Sequence, residues 1–146
     1  TIATDARRKA LDWCPVKRLV LLLFAHIAAA GCGSSGGDST YTRAASVKCL
    51  TAQGVTVGRV PQSVDFVAWS AEGGSFRATL ADNIVTVSFG PTVAKADAIA
   101  DAYRRFAARN VGVGDVLREQ GNAVLLWHLH PSDADLSMIT GCLKSS

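Results

Sequence analysis

The sequence predicts an α+β domain: a two-layer sandwich in which an antiparallel sheet of about five strands carries helices on one face. Three observations lead there. Positions 75–80 and 84–89 alternate apolar and polar side chains, the period of a half-buried strand, with Asp82-Asn83 as the turn between them. Positions 92–109 instead space their apolar residues for one face of a helix. About 105 residues follow position 41, enough for one hydrophobic core and not for two.

Taken in order, Thr42 to Gln53 reads as a first helix, with Thr42 able to cap it and Gly54 placed to end it in the left-handed conformation. Ala45, Cys49 and Ala52 share its apolar stripe, with Leu50 beside it. Val55 to Val60 reads as a short strand stopped by Pro61. Val64 to Ser70 is read as another strand, although its pattern is mixed: Val64, Phe66 and Ala68 alternate, while Val67 and Trp69 fall on the other side. Ala71-Glu72-Gly73-Gly74 turns the chain into Ser75 to Leu80, whose Phe76, Ala78 and Leu80 share a face. Ile84 to Phe89 returns with Val85, Val87 and Phe89 inward, completing a meander. The long helix from Thr92 to Arg109 directs Val93, Ala96, Ile99, Ala100, Tyr103, Phe106 and Ala107 to the core. Strands at Asp115 to Arg118 and Ala123 to His130 flank a turn at Gly121-Asn122. Ser132 caps a last helix, with Asp135 three residues on and Leu136, Ile139 and Leu143 facing inward. Ferredoxin-like connectivity is one option; the extra meander strand argues against choosing it.

Ahead of this domain, Lys17-Arg18 leads into the apolar run Leu19 to Ala30, which closes in small residues and Cys32. Basic, apolar and small segments in that order make a secretory signal peptide, and the run falls short of the roughly 20 residues that span a bilayer. Gly33-Ser34-Ser35-Gly36-Gly37-Asp38-Ser39 follows as a polar tether. The stretch Ala29-Ala30-Gly31-Cys32 resembles the lipobox of bacterial lipoproteins, in which Leu is commoner than Ala at the first place. The resemblance implies cleavage between Gly31 and Cys32 and a diacylglyceryl group on the Cys32 thiol, with membrane lipid as the attachment. Each buried methylene contributes about 0.8 kcal/mol, so two or three chains anchor stably where one does not. The alternative is an uncleaved or buried helix. The expected divisions are therefore a mis-called extension over 1–15 with translation starting at Val16, a signal peptide over 16–31, lipidated Cys32 and tether over 32–41, and one globular domain over 42–146. Peptide analysis of the unprocessed precursor checks the start, since a peptide containing Trp13-Cys14 refutes it.

Charge follows the same division. Arg7, Arg8, Lys9, Lys17 and Arg18, with Asp5 and Asp12, precede Cys32; ten basic and ten acidic residues remain beyond it. The mature chain is formally neutral, so the basic pI of the full sequence belongs to the preceding segments and gives no case for nucleic acid as a partner. Of the four cysteines, Cys14 belongs to the extension and Cys32 takes lipid, leaving Cys49 and Cys142 as a pair. In an oxidising extracytoplasmic compartment a Cys49–Cys142 disulfide is expected, closing a loop worth roughly 4–5 kcal/mol in the chain-entropy model. Two independent buried thiols are the alternative.

Little else suggests chemistry. His128 and His130 share one side of an extended strand, the spacing by which two imidazoles hold one metal, and Asp133 or Asp135 offers a carboxylate to zinc or another divalent ion. Against this, the mature chain has no third histidine, and the aspartates also suit the positive end of a helix. There is no Gly-x-Ser-x-Gly elbow, and Gly112-Val113-Gly114 lacks the third glycine of a dinucleotide loop. Trp69 and Trp127 are assigned to the core, with a groove lining as the alternative. Two functions follow: a membrane-anchored lipoprotein whose domain binds an envelope protein or small ligand without catalysis, or a metal-binding protein or metal-dependent enzyme using His128 and His130.

Overall fold

The computed structural model describes residues 40–106 and 112–146. The extension, signal peptide, Cys32 and the tether to position 39 lie outside the described residues, as do Ala107 and Arg109 of the long helix. The chain runs α1 (Arg43–Ala52), β1 (Thr56–Gly58), α2 (Phe66–Trp69), β2 (Ser75–Thr79), β3 (Ile84–Phe89), α3 (Val93–Phe106), α4 (Val113–Val116), β4 (Leu117–Gln120), β5 (Ala123–Trp127) and α5 (Asp133–Gly141). The α+β class and the five-stranded antiparallel sheet are as expected.

The sheet order is β1-β2-β3-β5-β4, with every neighbouring pair antiparallel. The first three strands are a meander. The chain then crosses through α3 and returns as the β4–β5 hairpin, β5 lying against β3. Ferredoxin-like connectivity is excluded, because that arrangement needs parallel neighbours.

Register assigns the faces. Ala78 opposite Val85, Phe76 opposite Val87, and Val87 opposite Leu125 share one face, together with the pair of Val85 and Trp127. On it α1 and α5, with the residues that follow α5, deposit Leu50, Ile139, Cys142 and Leu143, all buried. Val124 pairs with Ser88 and Leu126 with Leu117 on the opposite face. There Ala96, Ala100 and Tyr103 of α3 form a second buried cluster with Val124 and Leu117, and Val67 and Val113 pack beside it. Helices therefore cover both faces, which corrects the expectation of a single helical layer. The reason lies in β5: its run Ala123-Val124-Leu125-Leu126-Trp127 is apolar without alternation, as in a strand covered on both sides.

Two further elements differ. Within positions 64–70 the chain forms the short helix α2, not a strand, because Asp65 is an N-cap whose carboxylate accepts the Ala68 amide. Val64, Val67 and Ala68 stand at helical spacing, a signal the mixed alternation conceals. Residues 113–116 likewise make the turn α4, so the fourth strand begins at Leu117. The terminal helices behave as read. The Thr42 and Ser132 hydroxyls accept the amides of Ala45 and Asp135, and Gly54 takes φ +81°. In α1, however, Ser46 and Leu50 face inward while Ala52 is exposed.

Two buried asparagines finish the central β3–β5 pair where peptide groups run out. At one end the Asn83 side chain accepts the Leu129 amide and donates to the Leu129 carbonyl, standing in for one more rung of the ladder. At the other end Asn122 accepts the Tyr41 amide at 2.7 Å and donates to the carbonyls of Tyr41 and Gly90. Each satisfies main-chain groups that burial would otherwise leave without partners.

Candidate functional site

Cys49 of α1 and Cys142 after α5 are bridged, with sulfurs 2.06 Å and Cα atoms 5.4 Å apart. Beside them Thr42 donates its amide to the Lys144 carbonyl, and Lys144 donates back to the Ser46 hydroxyl. Both chain ends of the domain are thereby held on one face of the sheet.

The histidines are placed differently from the expectation. β5 ends at Trp127, so His128 and His130 are not successive same-side residues of a strand. The backbone of His128 continues the pairing by one bond, to the Ile84 carbonyl, and then bends away. His130 Nδ1 lies 2.8 Å from Asp115 Oδ1 in an exposed pair. Asp133 sits in the first turn of α5, where its charge faces the positive helix end. Among the described residues no three histidine, cysteine or acidic side chains gather as a metal-holding group.

The surface that stands out was not singled out by sequence. Between α2 and α3 lie two adjoining clefts that share Phe66, Val67 and Phe106. The larger, about 460 Å³, is bounded by Val64, Val113, Leu126 and the pair Asp65–Tyr103. The smaller, about 250 Å³, runs along α3 to Gly90 and Pro91. Phe106, 73% exposed, and Phe66, 59%, line both clefts, and Trp69, 52% exposed, stands beside Phe66. The Phe66 and Trp69 rings lean together with centroids 6.0 Å apart. Gly90 allows the smaller cleft to close tightly onto α3, since a Cβ there would overlap the Ala96 amide nitrogen.

The polar side chains lining both clefts are engaged within the protein. Tyr103 donates its hydroxyl to Asp65 Oδ2 at 2.8 Å, while Asp65 Oδ1 holds the Ala68 amide. Burial pushes the Tyr103 pKa well above the ordinary phenol range; the buried Ser88 hydroxyl opposes the shift, and the nearby Asp65 charge adds to it. In the smaller cleft Ser70 donates to the Val67 carbonyl, and Lys95 pairs with Glu72 at 3.0 Å. An occupant therefore meets apolar surface and few free hydrogen-bonding groups. Trp127, by contrast, is 2% exposed and belongs to the core, as read.

Sequence patterning does not single this surface out: it puts Phe66 and Trp69 on opposite sides of a strand, assigns Trp69 to the core and places Phe106 on the inward stripe of the long helix. One signal was available. In Val64-Asp65-Phe66-Val67-Ala68-Trp69 only Asp65 is polar, and a short helix so apolar on all sides cannot bury every side chain. No protein-family model, curated protein or solved structure matches this chain. Among the described residues no helix is long and apolar enough to cross a membrane.

Proposed function

We propose that this protein is a lipid-anchored extracytoplasmic lipoprotein whose folded part is a binding module, engaging its partner through the aromatic-rimmed surface between α2 and α3. The observation that carries the reading is that surface: Phe66, Trp69 and Phe106 stay exposed around clefts of about 250 and 460 Å³. Exposed aromatic groups at this density mark interaction sites more often than they mark unused surface. The lipobox order at Ala29 to Cys32 supports attachment through Cys32. The bridged Cys49 and Cys142 support an oxidising compartment.

Two measurements test the two halves. Metabolic labelling with a clickable fatty acid marks the native protein and not Cys32→Ala; undiminished label in the variant refutes the anchor. For the surface, a photo-crosslinking amino acid placed at Trp69 gives adducts in the native envelope. The same group at Thr51, exposed on α1, is the control. Equal adduct yields at the two positions refute the binding surface.

A further inference from the structure

We infer that the partner of the α2–α3 surface is the lipid bilayer itself: the domain lies on its α2–α3 side, with Phe66, Trp69 and Phe106 seated at the boundary between headgroups and acyl chains. This rests on the anchor proposed above. Three observations on this chain point to lipid over a protein or a polar small molecule.

The first is chemical. A protein partner ordinarily makes one hydrogen bond for each 100–200 Å² or so of interface. Here Asp65, Tyr103, Ser70, Glu72 and Lys95, the polar side chains lining the clefts, are already paired among themselves or to the backbone. Apart from the exposed Lys95–Glu72 ion pair at the margin of the smaller cleft, what remains outward is hydrocarbon and aromatic surface, which acyl chains satisfy without hydrogen bonds.

The second is composition. Tryptophan and phenylalanine on one side of a short helix are the side chains that settle at a membrane interface.

The third is where the chain enters. Gly33 to Thr42, ten residues rich in glycine and serine, links Cys32 to the domain. It arrives at Tyr41, whose amide and carbonyl are both held by Asn122. The same Asn122 holds the Gly90 carbonyl, and Gly90 lines the smaller cleft. The described chain therefore enters the domain beside one end of the apolar surface. A tether of this length keeps the surface at millimolar effective concentration over the membrane, so that insertion too weak to hold a free protein still holds this one.

The mature chain from Cys32 onward has two tryptophans, exposed Trp69 and buried Trp127, which makes the test direct. The fatty-acylated protein, purified in detergent, is reconstituted into phosphatidylcholine vesicles with and without brominated acyl chains. The expected result is loss of emission on brominated vesicles in the native protein and its absence in Trp69→Phe, which retains only Trp127. Phe66→Ser combined with Phe106→Ser should weaken the quenching of Trp69 while leaving the unfolding midpoint in place. A fatty-acylated protein whose Trp69 is not quenched overturns this inference alone, and crosslinks through position 69 to a second copy then identify dimerisation as the use of the surface. A protein carrying no fatty acid overturns the anchor reading, and this inference with it.

Discussion

The two faces of the sheet are covered by different kinds of helix. Under α1 and α5 the sheet offers Phe76, Phe89, Val85, Val87, Leu125 and Trp127, and the helices answer with Leu50, Ile139 and Leu143, all buried, with a disulfide across them. Under α3 the contact is made by Ala96 and Ala100, with Tyr103 at the end. Small residues bring α3 close to the strands, so its larger side chains emerge at the margins, where Phe106 lines the same clefts as Phe66 of α2. The first face spends its large apolar groups on stability; the second keeps several of them at the surface. Stability and use are thus separated by the thickness of one sheet.

That division makes unequal predictions. Phe76→Ala on the bridged face should cost about 3–5 kcal/mol in urea unfolding, as for a fully buried phenylalanine. Replacing both Cys49 and Cys142 by serine, or reducing the bridge, should lower stability by about 2–5 kcal/mol and drop the thermal midpoint markedly. On the other face, Tyr103→Phe removes a bond to the Asp65 carboxylate and should cost about 1–3 kcal/mol at neutral pH. It should also change the alkaline limb. Because the folded Tyr103 pKa is raised, its contribution is fully present below the free phenol pKa near 10 and is lost above it, where the unfolded chain gives up the proton first. The native protein should therefore lose stability more steeply above about pH 10 than Tyr103→Phe does. Smallest of all, Phe66→Ser with Phe106→Ser should move stability by no more than about 0.5 kcal/mol each while abolishing adducts at position 69. A large stability loss from that pair would dissolve the contrast, since the exposed aromatics would then be structural.

Much of the bridged face was legible in the sequence. Phe76, Ala78, Val85, Val87 and Phe89 announce themselves by strict alternation, and the cysteines by being the two left over once Cys14 and Cys32 are set aside. Thr42 and Ser132 were legible because a capping hydroxyl acts within three residues of itself. The second face was not. Its strands carry Thr86, Ser88 and Arg77 there, which read as solvent-facing until a helix is known to lie over them. Asp65 decided α2 through one local bond to Ala68, which outweighed the β-branched and aromatic residues on either side. The aromatic rim was hidden for a related reason. Periodicity reports that a residue is apolar, not whether enough neighbours arrive to cover it, and Phe106 looks the same as Tyr103 in sequence while differing from 8% to 73% in exposure. The histidines failed on a boundary: the strand ended at Trp127, one residue before their spacing began to count.

The bridge between Cys49 and Cys142 also determines how the domain carries a pull. Tension applied between Thr40 and Ser146 enters at one cysteine and leaves by the other, bypassing the chain between them, which spans a sequence separation of 93. Only the thirteen residues outside the bridge, Thr40 to Lys48 and Leu143 to Ser146, can lengthen, about 45 Å of extended contour. The sheet, the clefts and the long helix lie inside the bypassed loop and bear almost none of the load. Stretched in this way the domain yields briefly at its margins and then behaves as an inextensible link, with its exposed aromatic surface still assembled.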